Sequence, residues 1–292
     1  MLKVLILGAK GNLGSELVKV FSDKKYDLTA WDREEIDITD AELIIKKVND
    51  IKPSLIINAA AYNAVDKCEE SEEEYDLAKK INIDGPRNLA EAALAVKATF
   101  VHYSSDYVFN GRKKRGYKET DEASPICRYG KTKAIGDKQV IALSGKGLKW
   151  YLLRSSKLFG PKGESAMAKP NFFDLMLKLC QNKKEFPMVD KEEISCFTYT
   201  PDLASATKKL VESDAGFGVY HIVNSGPTSW YEAAKYLFEL KNIKDVKLTP
   251  VRSADYPRPA KRPKYSVLLN TKLEPLRDWQ EALREYLKIS NT

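Results

Sequence analysis

The stretch KVLILGAKGNLG, residues 3 to 14, decides how this chain folds. Its first half is a short apolar run of the length and composition of one buried strand. Glycines then stand at 8, 11 and 14, and SELVKVF (15 to 21) continues with the apolar spacing of an amphipathic helix. Glycine lets the backbone turn tightly and lets its amides approach a pyrophosphate, while the first turn of a helix offers unpaired N–H groups and a partial positive charge. Alone, such glycines mark a structural turn. Between a strand and a helix they predict a dinucleotide site.

The rest of the first half repeats that rhythm. DLTAWD (27 to 32), SLIINAA (54 to 60), TFVHYSSDYVF (99 to 109) and KWYLLRSS (149 to 156) read as strands. GNLGSELVKVFSDK, ITDAELIIKKVNDI, EEEYDLAKKINIDGPRNLAEAALAV and YGKTKAIGDKQVIAL read as amphipathic helices between them. Parallel strands need crossover connections, so the alternation predicts an α/β, Rossmann-type, doubly wound parallel sheet, with ligands beyond the carboxyl ends of its strands. We expect this domain over residues 1–158, with a later segment near 195–225 returning to it. Frequent prolines after residue 158 suit a smaller, partly discontinuous C-terminal substrate-binding lobe over 159–292. LRDWQEALREYLKIS (276 to 290) reads as one amphipathic helix.

Composition narrows the function. With 43% hydrophobic and 30% charged residues the chain is an ordinary globular protein. It has no apolar run long enough to span a bilayer, and the N-terminal strand lacks the cleavage site of a signal peptide. The four cysteines are scattered, without metal spacing, which predicts a reducing, cytoplasmic setting and no metal site. A net charge of +7 is modest, and GRKKRGYK (111 to 118) and EESEEE (69 to 74) read as solvated segments. Neither a basic face interleaved with aromatics nor a nucleic-acid motif is present, so neither nucleic acid nor membrane is an expected partner.

Asp32 ends the second strand, 24 residues after Gly8, where a carboxylate can take the adenosine ribose hydroxyls of NADH. Arg33 beside it and Lys10 in the glycine loop can instead meet the 2′-phosphate of NADPH, so both coenzymes stay open. Asp37 and Ile38 are placed to border the adenine, and Ala59, Ala60 and Ala61 leave room for a flat cofactor.

The chemistry sits in CRYGKTK, residues 127 to 133. Tyr129 and Lys133 lie one helical turn apart on one face. A phenol titrates near pH 10, and a nearby cation brings that value down, which suits proton transfer to a carbonyl. Ser105, at the end of the fourth strand, adds a hydroxyl to hold the substrate oxygen. His102 and His221 read as packed strand residues, and Ser229 as a helix N-cap.

With these residues in place, the chain resembles the extended short-chain dehydrogenase/reductase family, and within it the dTDP-4-dehydrorhamnose reductases. INAAAYNAVDKCE, YSSDYVFNG, YGKTK, LRSSKLFG, YTPDLA, YHIVNSGPTSWYEAAK, RPAKRPKYSVL and DWQEAL carry the resemblance along nearly the whole chain. It implies that Ser105, Tyr129 and Lys133 are catalytic, Lys133 also holding the nicotinamide ribose. Gly8, Lys10, Gly11, Asn12, Leu13, Gly14, Asp32, Arg33, Asp37, Ile38, Ala59, Ala60, Ala61 and Asn82 would line the cofactor, with Tyr129 and Lys133. Val65, Asp66, Lys67, Ser105, Asp106, Tyr107, Lys157, Arg258 and Arg262 would meet the sugar nucleotide. The pattern departs at Lys157, where many members carry an aromatic residue, at Phe197, where a proline is usual, and in a short segment before DWQEAL.

The implied activity is NADPH- or NADH-dependent reduction of the C4 keto group of a dTDP-4-keto-6-deoxy sugar, by a monomer or homodimer. Mg²⁺ is left open without being indicated. The alternatives are a related nucleotide-sugar reductase or epimerase, or a non-catalytic NADP-binding regulatory subunit.

Overall fold

The computed structural model describes residues 1–166 and 168–289. Strand β1 (Leu2–Leu7) leads through the glycine turn into helix α1 (Asn12–Phe21), followed by β2 (Tyr26–Trp31), α2 (Ala41–Ile51) and β3 (Leu55–Asn58). Short α3 (Lys67–Glu70) and α4 (Glu72–Lys79) run through a π-helical segment, Lys80–Asp84, into α5 (Gly85–Ala95). Then come β4 (Thr99–Ser105), α6 (Arg128–Ala142) and β5 (Lys149–Ser155). All are parallel to their neighbours, and with β9, introduced below, they form a six-stranded sheet in the order β2-β1-β3-β4-β5-β9.

That order has a physical consequence. The chain leaves β1 toward β2 and returns to β3 on the other side of β1, so the connections diverge and open a crevice where β1 and β3 end. Alternate residues of β1 serve opposite cores: Val4 and Ile6 pack with Leu17, Phe21 and Leu203 on one face, Leu5 and Leu7 with Ile44, Leu89 and Phe100 on the other. A strand segment buried on both sides must be apolar, which is why residues 4 to 7 of β1 read as an unbroken apolar run, while Lys3 stands at its exposed start.

The chain continues through β6 (Leu158–Phe159), α7 (Phe172–Leu179), β7 (Glu185–Val189) and β8 (Thr198–Tyr199). Helix α8 (Thr200–Glu212) then packs Leu203 and Leu210 into the α1 face of the main sheet, and β9 (Gly218–His221) adds its edge strand. After β10 (Asn224–Ser225) come α9 (Trp230–Leu240), β11 (Lys247–Val251), β12 (Leu276–Asp278) and α10 (Trp279–Ile289). An aromatic core of Phe159, Phe173, Phe197, Tyr199, Trp279 and Tyr286 holds these elements together. In place of one helix over 276 to 290, Leu276–Asp278 pairs as a strand with β10 and the helix starts at Trp279; Ser290 lies outside the described residues. Arg277, bonded through Nε and Nη2 to Asp202 at 2.9 Å each, pins that strand under α8.

Both histidines are fully buried in strands. His221 shares its Nδ1 with the Leu269 carbonyl at 3.1 Å, and burial lowers its pKa to about 4. The unfolded chain therefore binds this proton at a higher pH than the folded one. The stability that neutral His221 represents is whole above about pH 6.5 and is lost as pH falls toward 4. We expect it to amount to about 2 kcal/mol between pH 7.5 and 5. The check is the difference in urea unfolding between wild type and His221→Phe at the two pH values, and a difference independent of pH would contradict it.

Candidate active site

The glycine turn is shaped for close approach. Gly8 has φ +73°, and a Cβ there would meet the Ala60 nitrogen at 2.7 Å; one on Gly14 would meet the Gly8 carbonyl oxygen at 1.9 Å. Helix α1 begins after Gly11 with no side-chain cap and no acidic residue in its first turn. Among the described residues no side chain takes the amides that other helices spend on a cap, which suits them to face an anion. This cradle fits the diphosphate of a dinucleotide.

Around it the predicted residues take distinct places. The Asp32 carboxylate accepts from the Lys10 and Arg33 backbone N–H groups, each at 2.8 Å, and so lies beside the glycine loop. The Lys10 ammonium pairs with Glu34. Asp37 is used locally, accepting from Thr39 N and Oγ1 at 2.9 and 2.8 Å, while Ile38 is buried beneath Gly85. Leu13 belongs to the sheet core. Asn12 reaches the second half of the chain: its Oδ1 accepts from Gly163 N at 2.9 Å and its Nδ2 donates to the Lys169 carbonyl at 3.0 Å. Ala59 and Ala60 follow β3 at the crevice, with Ala61 exposed next to them. The Asn82 amide is spent on the Tyr62 backbone and on Thr132 Oγ1, at 3.0 Å in each of its three bonds, so it fixes helix α6 to the loop after β3.

Helix α6 delivers Tyr129 and Lys133, 8% and 2% exposed. Cys127 caps it, its Sγ accepting from Gly130 N at 3.4 Å. Gly130 is needed because a Cβ would lie 2.3 Å from the Tyr107 carbonyl oxygen. Ser105 ends β4, with its Oγ donating to Asp106 Oδ1 at 3.1 Å and accepting from Tyr107 N at 3.2 Å. Burial pushes the Tyr129 phenol up, and a hydrogen bond with Ser105 pulls it down. This differs from the reading in which Lys133 does the lowering. The Lys133 ammonium donates to the Tyr103 carbonyl at 2.7 Å and lies 3.5 Å from His102 Nε2. Desolvation lowers its own pKa to about 8, against the opposing pull of Asp137.

Beyond these groups the wall comes from the second half of the chain. Arg262 grips Asp66 in a two-pronged pair, Nη2 to Oδ2 at 2.7 Å and Nη1 to Oδ1, and Ala260 N donates to the same carboxylate at 3.1 Å. Ala260 packs with Tyr62, Cys127 and Tyr129, and Val65 and Tyr107 lean on that cluster. Lys67 opens α3 and sits 3.7 Å from Glu74. Arg258 pairs with buried Glu193. Lys157, at φ +40°, donates to the Glu193 carbonyl at 3.2 Å and lies 3.8 Å from the Trp230 ring centroid. Its burial brings its pKa down to about 8. Asp106, accepting from Ser266 Oγ at 2.6 Å, is pushed up by burial. Sequence reasoning missed Glu193 and Ser266, polar residues in ordinary loop stretches, and Asn58, which ends the apolar strand β3; only burial against distant partners sets each apart.

A cradle for a diphosphate, a buried phenol beside a hydroxyl, and a buried ammonium one turn along are the parts needed to reduce a carbonyl with a dinucleotide. The RmlD substrate binding domain family matches residues 2–292. The chain is 38% identical over 300 residues to dTDP-4-dehydrorhamnose reductase of Aggregatibacter actinomycetemcomitans, covering 97% of this chain and 98% of that one. Among solved structures it is similar to a dTDP-4-dehydrorhamnose reductase from Clostridium acetobutylicum (TM-score 0.91, 40% identity, 100% of both chains). It is also similar to that of Bacillus anthracis in complex with NADP (TM-score 0.90, 34% identity, 99% of this chain and 100% of that one).

Proposed function

We propose, from the premise that the chain belongs to the RmlD substrate binding domain family of dTDP-4-dehydrorhamnose reductases, that it reduces the C4 keto group of a dTDP-4-keto-6-deoxy sugar at the expense of NADPH. The observation that carries this reading is the buried Tyr129 phenol beside Ser105 at the carboxyl end of β4, with the Lys133 ammonium buried one turn along α6. The nicotinamide cofactor, when bound, supplies the hydride. Gly8, Gly11 and Gly14 admit its diphosphate to the start of α1, and Asp32 and Arg33 face its adenosine end. Tyr129 gives its proton to the carbonyl oxygen as that oxygen gains charge, and Ser105 holds the same oxygen by a hydrogen bond. Lys133 holds the nicotinamide ribose with its ammonium. Asp66, Arg258, Arg262 and Lys157 face the sugar nucleotide. The enzyme works in the cytoplasm as a monomer or homodimer; no described helix is long and apolar enough to cross a membrane.

The test is the fall in NADPH absorbance on adding dTDP-4-keto-6-deoxy-L-mannose, with NADH run in parallel. Arg33→Ala should weaken NADPH much more than NADH, since Arg33 stands beside the ribose-facing Asp32. No oxidation of either coenzyme would favour a binding subunit of the same fold over an enzyme.

A further inference from the structure

Asn58, His102 and Lys133 form a buried line across β3, β4 and α6, and its polarity can be read. Asn58 Oδ1 accepts from Ala60 N at 3.1 Å, which fixes the amide so that Nδ2 faces His102 Nδ1 at 3.2 Å. Turning the amide over would set two N–H groups against each other at Ala60. His102 is fully buried and held neutral by desolvation and by the charge of Lys133, so its ring has one donor and one acceptor. Nδ1 must accept from Asn58. The proton therefore sits on Nε2, which faces Lys133 Nζ at 3.5 Å.

A protonated lysine has only donors. It turns to the Tyr103 carbonyl at 2.7 Å, and the longer distance to His102 is that of two N–H groups that share no proton. The uncharged amine, by contrast, has a lone pair that Nε2–H can meet. We propose that His102 is a positioning residue that acts through Lys133: its Nε2–H tautomer, set by Asn58 and Ala60, favours the amine over the ammonium. It thereby sets the pH at which the active site loses that charge.

The other groups around this line act in known directions. On α6, Asp137 favours the ammonium, and Arg154 of β5 stands behind Asp137 with Nε at 3.8 Å. Tyr129 on the same helix faces Ser105, Asp106, Cys68 and Cys127, rather than His102. Of the groups facing Lys133, His102 is thus the one whose proton placement can reverse its effect.

The inference rests on the proposed role of Lys133, and its test reads both separately. The chain has two histidines, and the other, His221, directs Nδ1 at the Leu269 carbonyl and so carries its proton there. A long-range ¹H–¹⁵N spectrum of the wild type at pH 7 should show one Nε2–H and one Nδ1–H ring; two Nδ1–H rings overturn the proposal without any assay of activity. In His102→Phe, which keeps a flat ring above Phe100, the alkaline limb of kcat/KM should move up by about one pH unit, the worth of one lost hydrogen bond. Asn58→Asp, which offers Nδ1 an acceptor and so moves the proton off Nε2, should shift the limb in the same direction with His102 intact. An unmoved or lowered limb in either variant also overturns it. A wild type that oxidises no NADPH sinks the reductase reading while leaving the tautomers readable.

Discussion

Tyr129→Phe lowers kcat by about 10²-fold or more and leaves cofactor affinity nearly unchanged. The substitution removes one oxygen. The ring keeps its place beside Cys68, Cys127 and Ala260, and its edge contact with Tyr107, whose centroid is 5.6 Å away. What disappears is the proton donor and the partner of Ser105. Burial holds the phenol well above its ordinary range, so the proton stays on oxygen at neutral pH until the substrate oxygen gains negative charge. The expected signature is equal loss in kcat and kcat/KM, because the interaction exists only in the transition state. Stopped-flow hydride transfer with saturating cofactor measures it directly, and a variant that keeps most of its rate removes Tyr129 from the role of acid.

Arg262→Ala raises KM for the sugar nucleotide by about 10- to 100-fold, the loss of a charge-assisted hydrogen bond of roughly 1.5–3 kcal/mol, with cofactor Kd unchanged. Arg262 is mostly buried, and its guanidinium holds Asp66 across 196 residues of chain. A planar fork of this kind suits a diphosphate as well as a carboxylate. The comparison with Asp66→Asn separates the two uses. If the guanidinium serves the substrate, Asp66→Asn leaves it in place and KM rises far less. If the pair is only a strut between the lobes, both variants raise KM alike and lower the unfolding midpoint together.

The parts of the molecule legible in the sequence are those whose cause is local. Gly8, Gly11 and Gly14 announce the crevice because a Cβ on Gly8 or Gly14 would strike backbone and one on Gly11 would crowd the Gly8 carbonyl. The inner part of β1, residues 4 to 7, is legible because a segment buried on both faces has no polar position. Tyr129 and Lys133 stand one turn apart by helical geometry alone. What escaped notice depends on partners far along the chain: the grip of Arg262 on Asp66, the burial of Glu193 against Arg258, and the strand Leu276–Asp278, whose backbone is claimed by β10 instead of by the helix that follows. The direction in which Tyr129 is shifted was also out of reach. Spacing puts a cation one turn away, but the Lys133 ammonium turns to the Tyr103 carbonyl, and desolvation, which depends on everything packed around the ring, sets the direction.

The π-helical segment Lys80–Asp84 constrains the length of the chain as well as its composition. A π turn holds an extra residue, so relative to an unbroken α-helix everything before it is turned by about 100° about the axis. That offset lets α4 aim Ala78 at the Tyr129 cluster while α5, continuing the same rod, aims Leu89 and Ala93 at the sheet. It also presents the Asn82 carbonyl to α6 so closely that only glycine fits at 136, where a Cβ would lie 2.0 Å away. Losing a single codon within KINID would restore a smooth helix and put its two halves out of phase, so that either α4 or α5 would face the wrong way. The surplus residue acts as a fixed gear offset between helix α6 and the sheet, one that like-for-like substitutions preserve and that a change of length by one residue would undo.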